Sequence, residues 1–199
     1  MSKIKKTIIA ALLVAVYIIS DRFLSFNSQL VTINLSFIPA LITAILLGPF
    51  YGMLVFGLTD YIGAHLFPFG EYFPGFTLSS ILTGFVYGLF LCPGFKERFL
   101  ETRIGTTKVG KKLAIVLLEE NANLKRFIIN LVFSTLIVTI GIKIFLQAFW
   151  LNLLYGKAYF IIIQTRIVTQ IIMFFIQMIV GPAIYKMLQK EINKYLMED

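Results

Sequence analysis

The chain has 199 residues, of which 58% are hydrophobic and 14% charged, and its formal net charge is +8. A soluble domain of this size needs far more charge on its wetted surface, and here the apolar residues arrive in long runs, so the composition excludes an ordinary soluble fold and points to a bilayer as solvent. The basic residues sit in the gaps between apolar runs rather than among polar surface, which excludes nucleic acid as the partner of the positive charge.

Cys92 is the single cysteine and His65 the single histidine. An internal disulfide, a multi-cysteine metal site and a histidine-rich metal site are therefore excluded. Cys92 reads as a small packing residue.

Lys3, Lys5 and Lys6 precede the apolar run Ile8 to Ile19, in the manner of a secretory leader. No small-x-small cleavage site leads into a polar mature chain, and further spans follow, so the segment is expected to be a retained first helix, about 4–20, ending at Asp21-Arg22. A polar, strand-like stretch, Ser25–Asn34, comes next. A second span, about 35–47, stops at the breaker pair Gly48-Pro49. The third span is about 51–67, and an aromatic, Pro/Gly-rich loop, Pro68–Gly75, leads to the fourth, about 76–91. The longest hydrophilic segment follows at 95–126, and its run Lys111–Asn123 reads as an amphipathic helix at the membrane surface. The fifth span is about 127–150, followed by a loop near Asn152–Lys157. The sixth is about 158–188 and ends in the charged tail Gln189–Asp199. The expectation is an all-α membrane protein of six transmembrane helices in a single membrane domain, 1–199, with the shorter spans tilted or sheltered.

Six spans put both termini and the 95–126 loop on one side. That side holds 14 of the 18 Lys and Arg residues, which by the positive-inside rule makes it cytoplasmic. The Ser25–Asn34, Pro68–Gly75 and Asn152–Lys157 segments then share the outer face.

Charges within spans are costly and mark sites by default. Arg22 closes the first helix, Asp60 lies in the third, Lys143 in the fifth and Arg166 in the sixth. Arg166, Gln170, Met173 and Gln177 form one stripe on a helix otherwise made of Ile, Val and Phe, and such a stripe faces protein or a cavity. One reading is a buried Arg166–Asp60 ion pair. The other is that Arg166 and Arg22 bind an anionic or amide-rich ligand, since a guanidinium fork suits carboxylates. Lys143 is close enough to the outer end for its stem to snorkel towards water. The outer loops are aromatic, with Phe67, Phe69, Tyr72, Phe73 and Phe76 in one and Trp150, Tyr155 and Tyr159 in the other. These residues suit either a membrane belt or stacking on a planar heterocycle. Ala11 and Ala15, beside Ala10, let another helix approach closely.

No phosphate loop, no HExxH and no Ser/His/Asp set is present, so no enzyme activity and no cofactor are expected, and concentrative uptake would draw on an ion gradient or another subunit. Inverted repeats are not visible. A small intramembrane enzyme using Asp60 and His65 is disfavoured because a spacing of five splays the two side chains apart. A purely structural membrane partner is disfavoured by the polar stripe.

The stretches Asp21-Arg22-Phe23-Leu24-Ser25-Phe26, Ser36-Phe37-Ile38-Pro39 and Leu47-Gly48-Pro49 resemble S components of energy-coupling factor (ECF) transporters. The folate group is the nearest fit. It is carried by Asp60-Tyr61-Ile62-Gly63, Leu66-Phe67-Pro68, Tyr72-Phe73-Pro74-Gly75-Phe76-Thr77-Leu78, Gly84-Phe85-Val86-Tyr87-Gly88-Leu89, Trp150-Leu151, Leu154-Tyr155-Gly156-Lys157 and Arg166-Ile167. The resemblance implies a six-helix S-component bundle in a bacterial cell membrane, both termini cytoplasmic, that captures folate or a related vitamin from outside. It also implies a membrane-embedded coupling protein and two cytoplasmic ATPases as partners, with Ala11 and Ala15 as the contact and toppling in the bilayer as the means of delivery. On the same resemblance Arg22 and Arg166 would meet a carboxylate or the pterin oxygen, and Asp60 the aminopyrimidine edge. Phe73, Phe76, Tyr87 and Trp150 would stack on the rings, Gln170 would add an amide contact, and Ser25–Asn34 would act as a lid. Gln147-Ala148-Phe149-Trp150 departs from the Asn-Thr that folate members carry before the Trp, and Gln170 and Phe174-Phe175 depart as well. An S component for another planar vitamin or modified base therefore stays open.

Overall fold

The computed structural model describes residues 3–27, 32–68, 71–92, 124–156 and 159–197. The expected surface helix Lys111–Asn123, and the 95–126 loop as far as residue 123, lie outside the described residues.

The first helix, α1, spans Lys3–Arg22. Its side chains at Ile4, Ile8, Leu12, Val16 and Ile19 are exposed along one flank, whereas Ala10, Leu13 and Ser20 are buried on the other. A stripe of bare aliphatic groups is what a lipid-facing helix presents. A short antiparallel hairpin follows, β1 (Ser25–Asn27) and β2 (Thr32–Asn34), in register Ser25↔Asn34 and Asn27↔Thr32.

Helix α2 covers Phe37–Leu66, but Gly48 interrupts it with φ 80° and ψ −173°, immediately before Pro49. Glycine is the residue that takes this positive φ without steric cost, and proline cannot give the N–H that would continue the first arm. The two ends of α2 both lie at the Arg22 end of α1. Asn34, next to the first arm, donates its amide N–H to Asp21 at 3.1 Å, and a Cβ on Gly63 of the second arm would sit 3.0 Å from the Arg22 guanidinium. A straight helix of this length would hold those points about 45 Å apart. The chain therefore doubles back at Gly48.

Helix α3, Pro74–Leu91, starts with a proline in its first turn, where the missing N–H is no loss. It runs antiparallel to the second arm of α2, with Thr77 beside Asp60, Ile81 beside Gly57 and Gly84 beside Gly52. Two glycines let these backbones meet: a Cβ on Gly52 would lie 2.6 Å from the Gly84 carbonyl oxygen.

The next rod is continuous from 124 to 155. It comprises α4 (Leu124–Leu136), a π-helical stretch π1 (Ile137–Leu146) and α5 (Gln147–Tyr155). The Gln147 N–H reaches back to the Ile142 carbonyl, the wide spacing of a π turn. Gly156, left-handed at φ 62°, caps the rod and returns its N–H to the Asn152 carbonyl at 2.9 Å. The last helix, α6, spans Tyr159–Met197 and meets α4 where Phe127 and Tyr185 stack at 4.1 Å.

Polarity runs opposite to that of a soluble protein. Thr43, Ser79, Ser134, Thr135 and Gln177 are buried, and large apolar side chains cover the outside. Among the described residues four helical runs are long and apolar enough to cross a membrane: Phe37–Leu66, Pro74–Leu91, Leu124–Leu154 and Arg166–Gln189. The six separate spans expected from the sequence are met by five continuous helical stretches among the described residues. The difference arises at Gly48, where 35–47 and 51–67 join without a loop between them. Helix α1 is charged at both ends, with only Thr7–Ser20 uncharged between them.

The Gly52–Gly84 contact sets the spacing of α2 and α3. Gly52→Ala is expected to cost about 1–3 kcal/mol through overpacking and to lower the apparent melting temperature in detergent. Gly141→Ala, where an added Cβ meets nothing within 4 Å, is expected to leave it unchanged. Equal melting temperatures in the two variants would argue against the close backbone approach.

Candidate functional site

A cavity of about 200 Å³ opens between the helices near the Arg22 end of α1. Its walls are built from pairs one helical turn apart. Helix α1 contributes Tyr17 and Asp21, the second arm of α2 contributes Phe56 and Asp60 with Thr59, and the fourth rod contributes Lys143 and Gln147. Side chains at i and i+4 lie over one another on one face, so each rod turns one apolar or aliphatic stem and one polar head inward. The first arm of α2 adds Phe37, Ala40 and Leu41, α3 adds Ser80, Thr83 and Tyr87, and α6 adds Gln177; Asn34 and Ser36 close the rim.

The polar heads are held from behind. Thr77 donates to the Asp60 carboxylate at 2.7 Å, and Asn34 donates to that of Asp21 at 3.1 Å. The Tyr87 hydroxyl donates to the Gln177 side-chain oxygen at 3.1 Å. Arg166 Nη1 donates to Gln147 Oε1 at 2.6 Å and to the Lys143 carbonyl at 3.3 Å. The Thr59 hydroxyl is buried against the cavity without a partner among the described residues. Buried hydroxyls are almost always bonded, so an unpartnered one at a cavity wall is positioned to receive a solute's polar group. Two carboxylates and one ammonium, that of Lys143, share the lining, and the Arg22 guanidinium stands 3.6 Å from Asp21.

The aromatic wall consists of Tyr17 and Phe56, edge to face at 5.3 Å, with Phe37 and Tyr87. A second aromatic group lies at the start of α3. Phe73 packs 6.0 Å from Phe76 and 5.6 Å from Trp150, whose indole N–H donates to Ser79 at 3.1 Å.

Of the residues singled out in the sequence, Asp60 and Tyr87 line the cavity. Arg22 stands at its edge beside Asp21. Phe73, Phe76 and Trp150 form the neighbouring cluster one turn or so along α3 from Ser80. Arg166 and Gln170 are not among the described residues that line the cavity, although Arg166 touches two that do. Ala11 and Ala15 are exposed on α1, away from the cavity. An Arg166–Asp60 ion pair is not formed: Arg166 is engaged by Gln147, and Asp60 by Thr77. Lys143 does not snorkel to the membrane boundary but lines the cavity, because the π stretch and Arg166 hold that face of the rod inward.

Sequence reasoning passed over Tyr17, Asp21, Phe56, Thr59 and Gln147. The available signal was the repeated aromatic-then-carboxylate spacing, Tyr17 with Asp21 and Phe56 with Asp60.

Among the described residues no group of three His, Cys, Asp or Glu could hold a metal ion. The lining combines acceptors at the carboxylates, donors at Lys143 and the amides, and flat aromatic faces, which together suit an organic, partly planar solute.

The chain matches the family described as ECF transporter, substrate-specific component, over residues 5–185. It is 29% identical over 190 residues to the folate transporter FolT of Clostridium novyi (strain NT), covering 96% of this chain and 93% of that protein. With the folate transporter FolT of Leuconostoc mesenteroides subsp. mesenteroides it shares 24% identity over 131 residues, 66% of each chain. A crystal structure of FolT bound with folic acid has a similar fold, with TM-score 0.65 at 28% identity, covering 88% of this chain and 89% of that one. The family match reaches from the first turn of α1 into α6 and takes in every wall of the cavity, so the chain belongs to the substrate-specific components of ECF transporters.

Proposed function

We propose that this protein is the folate-binding S component of an ECF-type uptake system, one that captures its vitamin and passes it on chemically unchanged. The observation that carries the reading is the cavity itself, whose aromatic lining includes the Asp21 and Asp60 carboxylates and the Gln147 and Gln177 amides. A pterin has an aminopyrimidine edge of adjacent N–H donors, which a carboxylate accepts in pairs, and flat rings for Tyr17, Phe56 and Tyr87. Asp60 is assigned the donor edge, and Arg22, at the rim, the carboxylate tail. The Phe73–Phe76–Trp150 cluster is assigned the part of the solute that projects beyond the cavity. The relatives named as folate transporters and the fold of FolT with folic acid support this choice.

The two arms of α2 are taken as separate crossings, giving six within one membrane domain. The Arg22 end is placed outside by the distribution of basic residues, with both termini in the cytoplasm of a bacterial cell. The β1–β2 hairpin, tied to Asp21 through Asn34, is assigned the role of lid. The exposed Ala11 and Ala15 face suits close docking on a membrane-embedded coupling protein, with two cytoplasmic ATPases supplying the energy. A second reading, a different planar vitamin or modified base, is favoured by one observation: the departing stretch Gln147-Ala148-Phe149-Trp150 contributes a cavity-lining amide.

Isothermal titration of the purified protein in detergent is expected to give saturable, one-to-one binding of folic acid. Asp60→Asn replaces one acceptor by a donor and is expected to weaken binding about tenfold or more. Native mass spectrometry of the protein as purified separates the two readings. A co-purified planar compound other than a folate, together with no heat on adding folic acid, would overturn the first and support the second.

A further inference from the structure

We propose that Arg166 is a positioning residue which locks the Gln147 amide with its NH2 group towards the cavity, so that the site selects a solute with an acceptor next to its donor edge. The inference rests on the folate reading and deepens it by naming the ring edge that is selected.

The guanidinium carries five N–H donors and no acceptor. Its Nη1 lies 2.6 Å from Gln147 Oε1 and is also bonded to the Lys143 carbonyl, 3.3 Å away. Turning the Gln147 amide over would set its NH2 against another donor and lose a charge-assisted hydrogen bond. The oxygen of Gln147 is thereby spoken for. Gln147 lines the cavity and Arg166 does not, so the amide NH2 is the polar group that position offers to a solute. Gln177 has no such lock, because the Tyr87 hydroxyl that donates to its oxygen can accept as well as donate.

The lining therefore reads as acceptors at Asp21 and Asp60 and a fixed donor at Gln147. The complementary edge carries N–H donors beside a carbonyl, as in a cyclic amide fused to an aminopyrimidine. The 4-oxo edge of a pterin has this pattern. Its 4-amino counterpart places a donor where the carbonyl oxygen would be, and meets the Gln147 NH2 with nothing to accept it.

The ratio of dissociation constants for folic acid and its 4-amino analogue, measured by isothermal titration, tests this. The wild-type protein is expected to favour folic acid about tenfold or more. Arg166→Lys keeps a donor-only group behind Gln147 and is expected to retain the preference. In Arg166→Met the amide is free to turn, and the ratio is expected to fall at least about threefold, the remaining preference resting on the ring N–H that Asp60 accepts. Gln147→Glu presents only acceptors, stays paired with Arg166, and is expected to invert the preference; it provides the test if Arg166→Met does not fold. An unchanged ratio in Gln147→Glu, or in folded Arg166→Met, overturns the proposal while leaving folate binding in place. A wild-type protein that binds neither compound overturns the folate reading and this inference with it.

Discussion

The doubling back of α2 at Gly48 requires that two helical arms and α3 share a very small volume. Side chains at the contact would push the arms apart, and the chain instead places glycines there: Gly52 against Gly84, and Gly88 against the backbone of Pro49. In lipid there is no hydrophobic penalty for separating apolar helices, so close approach of backbones is itself a principal source of association. The return of the second arm brings Phe56 and Asp60 opposite Phe37 and Leu41, residues that an unbroken helix would hold on distant turns. The cavity, the pairing of Asp60 with Thr77 and the seat of the Tyr87 ring all depend on that approach.

Buried polar groups divide into two kinds. Thr43, Ser79 and Thr83 donate to carbonyls one turn back in their own helices, at Pro39, Gly75 and Ser79. The groups around the cavity are satisfied on one side only. Asp60, Gln147 and Gln177 each have one side-chain atom on a supporting residue and also line the wall, and the Thr59 hydroxyl has no partner among the described residues. In a low dielectric a half-satisfied group is costly, and its retention marks the place where a solute completes the set.

The fold was legible in the sequence where local chemistry decides it. Gly48-Pro49 marked the break in α2, whereas α3 begins at Pro74, inside the expected Pro68–Gly75 loop, and the fourth rod runs on to Tyr155, past its expected end near 150. The hydropathy of each run did not reveal that the arms on either side of Gly48 form one element. In the site, the price of a buried charge drew attention to Asp60 and Arg166. It did not separate a residue that faces the cavity from one that supports another behind it. Tyr17, Phe37 and Phe56 stayed hidden because an aromatic in an apolar helix reads the same whether it meets lipid or a chamber. Lys143 was misplaced because distance from the helix end says nothing about which way a face turns, and a π stretch alters that direction without a signature in composition.

That π stretch changes the bearing of everything beyond it. A turn closed over five residues instead of four gives the helix an angular offset, so the face carrying Lys143 and the face carrying Trp150 stand in a relation that regular winding cannot produce. A wide turn placed one residue further along the rod would give α5, which carries both Gln147 and Trp150, a different bearing relative to α4. The rod that forms one wall of the chamber is thus turned by a fixed offset between α4, which anchors it on α6, and α5, which carries Gln147.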